Sequence, residues 1–379
     1  MKIGILTQPL HLNYGGILQN WALQQVLKGL GHEPVMINRC YDAPVRSAVR
    51  MAARCRSFAK HIVLKSIGRD SRALLCNPFA RVYEPHWPKY ADRRFCSKRI
   101  NKSTALYSDY ELRHWIDRCD IDAFVVGSDQ VWRQEYSPRI ETYFLDFLPI
   151  ADKRKRIAYA ASFGTNNGYI DDDKLPACRA LLKHFDAVSV RENGGVNITH
   201  EVFDRKDAVK VLDPTLLLSA EDYRTIIGGA STSASPYVAA YILDDDADKT
   251  AILDTVSANL NVPAQRMSAN YTGTKMPTMA QWLATCANAE AVVTDSFHGC
   301  VFSIIFGKPF IAIGNTKRGL DRFTSLLGTL GLTGRLINSL DEFNARRTTL
   351  LSPIDYAPAN ELLSEQRTNS IKFLTNALA

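Results

Sequence analysis

No Cys-x-x-Cys pair occurs among the eight cysteines of this 379-residue chain, and none has a histidine at zinc-finger spacing, so zinc and iron–sulfur sites are not expected. The scattered thiols then read as small buried hydrophobes of a reducing compartment. Long apolar runs are lacking too. The stretch Val301–Gly307 stops at Lys308, far short of the ~20 residues a membrane-spanning helix needs. The apolar part of Met1–Pro9 is too brief for a signal peptide and no small-residue cleavage site follows, so a cytoplasmic location is expected. The dinucleotide pattern G-x-G-x-x-G is absent after the first predicted strand, and the second ends in Asn38-Arg39 where a ribose-binding carboxylate would stand; NAD is not expected. There is no internal repeat, and only residues 230–236 read as a flexible surface loop.

What is present is a folded composition, 46% hydrophobic and 22% charged, at a length suited to two domains. The formal net charge of +7 is unevenly placed. Residues 39–118 hold 18 Lys or Arg against 7 Asp or Glu, and the rest of the chain is slightly acidic. A patch of this kind suits a polyanionic partner: a phosphorylated substrate, an anionic membrane surface or nucleic acid. No nucleic-acid-binding module is recognisable, so nucleic acid is not the expected partner. Within 43–75, Arg46, Arg50 and Arg54 recur at helical spacing beside Val45, Val49, Phe58 and Ile62, which predicts a basic amphipathic helix that either packs on the first domain or docks on an anionic membrane.

Short β-branched runs alternate with helical patterns along the whole chain. Lys2–Thr7, Glu33–Asn38, Ala123–Val126, Arg156–Ala160, Ala187–Val190 and Val209–Leu212 read as one strand series; Tyr237–Leu243, Ala264–Met267, Ala291–Thr294 and Pro309–Ile313 read as a second. The β-α-β order predicts two α/β domains with parallel sheets, facing a cleft. The expected division is 1–214 with a basic insert at about 41–118, then 215–352, with a last helix in 353–379 returning to the first domain. Asp213-Pro214 marks the crossing, because proline stops a helix.

In such sheets chemistry gathers at the carboxyl ends of the strands. After the first strand, Asn13-Tyr14-Gly15-Gly16 opens a helix whose free N–H groups suit an anion, although the glycines alternatively serve only a tight turn. His11 in the same loop reads as a loop residue. After the third run, Ser128, Asp129 and Gln130 suit sugar hydroxyls and Trp132 offers a flat apolar face; alternatively Asp129 caps a helix and Trp132 belongs to the core. Arg191 ends an apolar strand, as a bidentate anion grip or as a structural ion pair. Asp295-Ser296-Phe297-His298-Gly299 delivers a carboxylate, a hydroxyl and an imidazole between strand and helix, where a histidine can act as general acid or base. Lys317 and Arg318 follow another strand of that domain.

Taken together and in this order, Asn13-Tyr14-Gly15-Gly16, Gly127-Ser128-Asp129-Gln130-Val131-Trp132, Ser189-Val190-Arg191-Glu192, Leu212-Asp213-Pro214-Thr215 and Asp295-Ser296-Phe297-His298-Gly299 resemble the polysaccharide pyruvyl transferase family, over about residues 3 to 330. The resemblance implies two Rossmann-like domains of GT-B type and transfer of pyruvate from phosphoenolpyruvate to a sugar as a ketal, with no metal or organic cofactor. It places the family's catalytic histidine at His298 and its anion-binding arginine at Arg191. Many members carry Arg-Leu-His where this chain has Ser296-Phe297-His298, so Lys317 or Arg318 is expected to replace that cation. The assignment that follows gives Lys317, Arg318, Ser296, Gly15 and Gly16 to the donor. It gives Asn13, Tyr14, Ser128, Asp129, Gln130, Trp132 and Asp295 to the acceptor, a sugar of a polysaccharide or of its lipid-linked precursor. A nucleotide-sugar glycosyltransferase and a non-catalytic sugar-binding protein are the alternative readings.

Overall fold

The computed structural model describes residues 1–41, 92–164, 170–230, 235–267, 276–315 and 319–379. The basic helix expected within 43–75 and the cations Lys317 and Arg318 lie outside them.

Six strands form the first sheet: β1 (Lys2–Leu6), β2 (Glu33–Met36), β3 (Ala123–Val126), β4 (Lys155–Ala161), β5 (Ala187–Val190) and β6 (Val209–Lys210). Their order is β2-β1-β3-β4-β5-β6, and every pair is parallel. Five form the second: β7 (Val238–Tyr241), β8 (Ala264–Arg266), β9 (Ala291–Thr294), β10 (Phe310–Ile313) and β11 (Leu336–Ile337), in the order β11-β10-β9-β7-β8 and again all parallel. The central strands are apolar runs buried throughout, as parallel strands covered on both faces require. The α/β expectation holds, and ten of the eleven strands among the described residues fall on the β-branched runs. The exception, β11, has two residues and no readable pattern.

Both sheets follow one winding rule. Chain order reverses between β1 and β3 in the first and between β7 and β9 in the second. At such a switch point the loops leaving two adjacent strands diverge and open a crevice at their carboxyl ends.

The helix Tyr14–Gly29 lies between the lobes, which explains why it is buried nearly all round. Its Ile17, Leu18 and Trp21 share an apolar cluster with Trp282, Phe302 and Leu327 of the second lobe, while Leu23, Val26 and Leu27 pack with Ile3 and Ile5 of β1. Tyr14 stacks on Trp282 at 5.3 Å, and its hydroxyl donates to the Pro277 carbonyl at 2.6 Å. The last helix, Ala357–Leu378, touches both lobes: Leu363 joins the shared cluster, and Leu374 and Leu378 pack under the first sheet. Ser370 accepts the Leu212 N–H at 3.0 Å, and Arg367 donates to the Leu218 carbonyl at 2.8 Å. No helix among the described residues is long and apolar enough to cross a membrane.

Candidate active site

A cavity of about 440 Å³ opens where the two switch points face each other. Gln8, His11 and Asn13 reach it from the loop after β1, and Asp129 and Gln130 from the loop after β3. From the other lobe come Leu243 after β7, the run Asp295 to His298 after β9, and Arg322 from the helix Asp321–Thr329.

His298 is the second residue of the helix Phe297–Ile305, all nine residues of which are buried. The turn into this helix is set by Thr294: its hydroxyl donates to the Tyr241 carbonyl at 2.7 Å and accepts the Ser296 N–H at 3.0 Å. A Cβ on Gly299 would lie 2.1 Å from that hydroxyl oxygen, so only glycine lets the helix start so close to the strand. The imidazole crosses the lobe boundary and rests on Gly15, where a Cβ would lie 2.0 Å from Nδ1. Its Nε2 is buried and has no hydrogen-bond partner among the described residues. Burial lowers the His298 pKa to about 4; Asp213 and Asp129 pull it upward, Arg191 and Arg322 downward. The ring is therefore neutral at pH 7.

Behind the cavity wall lies a sealed ion network. The Arg191 guanidinium meets Asp213 at 3.1 Å, Asp129 at 3.2 Å and Glu192 at 3.5 Å, and stacks over the Phe297 ring at 5.0 Å. Its side chain is 1% exposed. Burial would depress its pKa, but the three carboxylates outweigh that and raise it. For Asp129 burial pushes upward, yet Arg191, then His298 and Arg322, hold its carboxyl below the usual range. Arg191 thus presents no face to the cavity and acts as the counter-charge that fixes Asp129, correcting the picture of a guanidinium open to a donor.

Five more expected contacts lie elsewhere. Trp132 is fully buried, stacked on Phe144 at 5.3 Å with its Nε1 donating to the Tyr143 carbonyl, so it is a core residue and not a platform for a sugar. Tyr14 belongs to the lobe interface, and Ser128 is buried on Asp213 and Gln19. Gly15 and Gly16 do not line the cavity; Gly16 instead lets Asp129 and Asn13 approach the helix start. Asp295 does line it, but its oxygens already accept from Leu243 N (2.6 Å), Asp244 N (3.1 Å), Lys249 Nζ (3.1 Å) and Asn315 Nδ2 (3.2 Å). That carboxylate ties the loops after β7 and β10 to β9.

Arg322 was not read from the sequence. It is the only Lys or Arg among the described residues lining the cavity, and its guanidinium lies 5.6 Å from the Phe297 ring centroid. Burial, then the like charge of Arg191, lowers its pKa to about 10, so it stays a cation at neutral pH. The cavity therefore offers a neutral imidazole, a guanidinium beside it and the side-chain amides of Gln8, Asn13 and Gln130 from the first lobe.

Fold and cavity together define a two-lobed α/β protein of GT-B type with a cavity between the lobes. The sequence profile of the polysaccharide pyruvyl transferase family matches residues 13–317, and the chain belongs to that family. No curated protein matches it in sequence. Among solved structures, the UDP-GlcNAc 2-epimerase of Neisseria meningitidis bound to UDP-GlcNAc is similar over 100% of this chain and 99% of its own, with a TM-score of 0.55 and 9% identity. The UDP-N-acetylglucosamine 2-epimerase of Rickettsia bellii is similar over 99% and 96%, with a TM-score of 0.50 and 8% identity. At these identities the likeness is one of fold.

Proposed function

We propose that the protein transfers pyruvate from phosphoenolpyruvate to two hydroxyls of a sugar, forming a ketal and releasing phosphate. The observation that carries this reading is His298, an imidazole with an unpartnered buried nitrogen in the cavity of a pyruvyl transferase family member. The donor's methylene carbon takes a proton and its C2 becomes an oxocarbenium-like centre. One sugar hydroxyl adds there and gives up its proton, the C2–O bond to phosphate breaks, and a second hydroxyl adds and loses its proton to close the ring.

His298 is neutral before the donor binds, but the charge of phosphoenolpyruvate raises its pKa. The imidazole takes up a proton with the donor, delivers it to the methylene carbon, and returns as the base for the attacking hydroxyl. Arg322 holds the donor's phosphate or carboxylate in the place the sequence reading gave to Arg191, and Lys317 and Arg318, a few positions earlier in the chain, add positive charge. Asn13, Asp129 and Gln130 face the acceptor. A lipid-linked acceptor would bring the basic segment 43–75 to an anionic membrane; sedimentation with anionic but not neutral vesicles at low salt tests that part, and no sedimentation with either rejects it.

Phosphate release with phosphoenolpyruvate and a panel of glycans, read beside mass change of the glycan, is the direct test. His298→Ala should lower turnover by ~10²- to 10⁴-fold, and Arg322→Gln should raise KM for phosphoenolpyruvate more than for the glycan. Transfer from a nucleotide-sugar instead, or turnover indifferent to His298, would overturn the reading.

A further inference from the structure

Large apolar side chains left exposed on the described surface are few, and three of them gather at the cavity. Leu12 (38% exposed), Tyr136 (38%) and Tyr41 (49%) all line it. They stand after β1, β3 and β2, which are neighbours in the order β2-β1-β3, so the sheet topology sets their loops side by side. Exposed apolar area is costly in water, and its concentration beside a cavity marks a binding surface.

The two tyrosines are braced. The Tyr41 hydroxyl donates to the Tyr136 carbonyl at 2.7 Å, which links their loops. The Arg133 guanidinium lies 4.2 Å from the centroid of the Tyr136 ring and is held by Glu135 at 2.9 Å, so one part of the ring is backed by a cation while the rest stays exposed. Gln130 lines the same cavity, is 5% exposed, and its buried Nε2, close to Gly164, has no hydrogen-bond partner among the described residues. An aromatic face in a cavity that a side-chain amide also lines suits a ligand that is apolar on one face and hydroxylated at its edges. A pyranose ring has that form: its axial C–H groups lie against an aromatic ring while its hydroxyls reach polar side chains.

We propose that Tyr136, with Tyr41 and Leu12, is the stacking platform for the pyranose ring of the acceptor, in the role the sequence reading gave to Trp132. This rests on the acceptor being a sugar, as proposed above. The test is saturation-transfer NMR on the full chain with the methyl pyranosides of galactose, glucose, mannose and N-acetylglucosamine. At least one should bind, with the strongest saturation on protons of one ring face. Tyr136→Ala should weaken it about tenfold, Tyr136→Phe less than about twofold, and neither should change the affinity for inorganic phosphate. Failure of all four pyranosides to bind the wild type, equal affinity in Tyr136→Ala, or Tyr136-dependent binding of uridine diphosphate in their place would overturn the platform. Tyr136-dependent pyranoside binding by a protein that releases no phosphate from phosphoenolpyruvate would keep the platform and reject the donor.

Discussion

Replacing Gly15 by alanine adds one methyl group to a buried helix and should remove most of the activity while the fold persists. The new Cβ would lie 2.0 Å from His298 Nδ1 and 2.2 Å from its Cγ, where ordinary van der Waals contact begins at 3.4 Å. Something must retreat by roughly 1.4 Å, and the ring is the freer party, because its helix is packed on every side. A misplacement of ~1 Å at a reacting group costs on the order of 10²-fold, so kcat should fall about a hundredfold. Stability should fall by no more than about 3 kcal/mol, because overpacking strain costs ~1 to 3 kcal/mol and alanine's preference for the helix offsets up to ~1 kcal/mol of it. Turnover by phosphate release, with the melting temperature beside it, reads both quantities. The double variant Gly15→Ala/His298→Ala isolates the cause, because removing the imidazole leaves the new methyl with little to strike. Its activity should equal that of His298→Ala alone. A folded Gly15→Ala protein with kcat within threefold of wild type refutes the reasoning, as does a double variant a further hundredfold below His298→Ala.

Arg191→Met keeps much of the side-chain volume but leaves Asp129, Asp213 and Glu192 buried without their counter-charge, and should cost roughly 3 to 5 kcal/mol in urea unfolding; an unchanged midpoint would reject the structural role given to it. His298 titrates near 4 when folded against ~6.5 when unfolded, so between these values the unfolded chain alone binds the proton. Stability from this group is complete above pH 6.5 and is lost as the pH falls towards 4, by up to about 3 kcal/mol, and His298→Gln should flatten that part of the profile. An equally steep profile in the variant would show that the histidine is not held neutral.

Much of the fold was readable because strand runs such as Ala123–Val126 and Ala291–Thr294 carry their own β propensity and end in small or polar residues. The apolar spacing of the helix that opens the cleft begins only at Ile17, whereas the helix itself starts at Tyr14. Two glycines argue against a helix there, and contacts distant in sequence, such as the stacking of Tyr14 on Trp282 across 268 positions and its hydrogen bond to Pro277, override them. His298 was legible because strand end and helix start are local features. Arg191 was legible as a cation at a strand end, but its three carboxylates come from three loops, so its sealing was not. Trp132 and Tyr136 show the limit most clearly: four residues apart, one is core and the other exposed at the cavity. No periodicity distinguishes them, because Trp132 lies in a loop and Tyr136 ends a single-turn 3-10 helix, Gln134–Tyr136, too short to carry a pattern. Arg322 was hidden by the more conspicuous Lys317 and Arg318 just before it.

The apolar cluster that runs from Trp21 and Tyr14 through Trp282, Phe302 and Leu327 pays no regard to the boundary between the sheets. Neither lobe can come apart without stripping the covering from the other, so the two are thermodynamically one cooperative unit despite their separate sheets. Heat should melt them in a single calorimetric transition, and damage in one half, such as truncation of Leu374 under the first sheet, should lower the melting point of the whole. The alignment of His298 with the opposite wall is then maintained by the same free energy that keeps the protein folded, and denaturant should abolish catalysis and secondary structure at the same concentration.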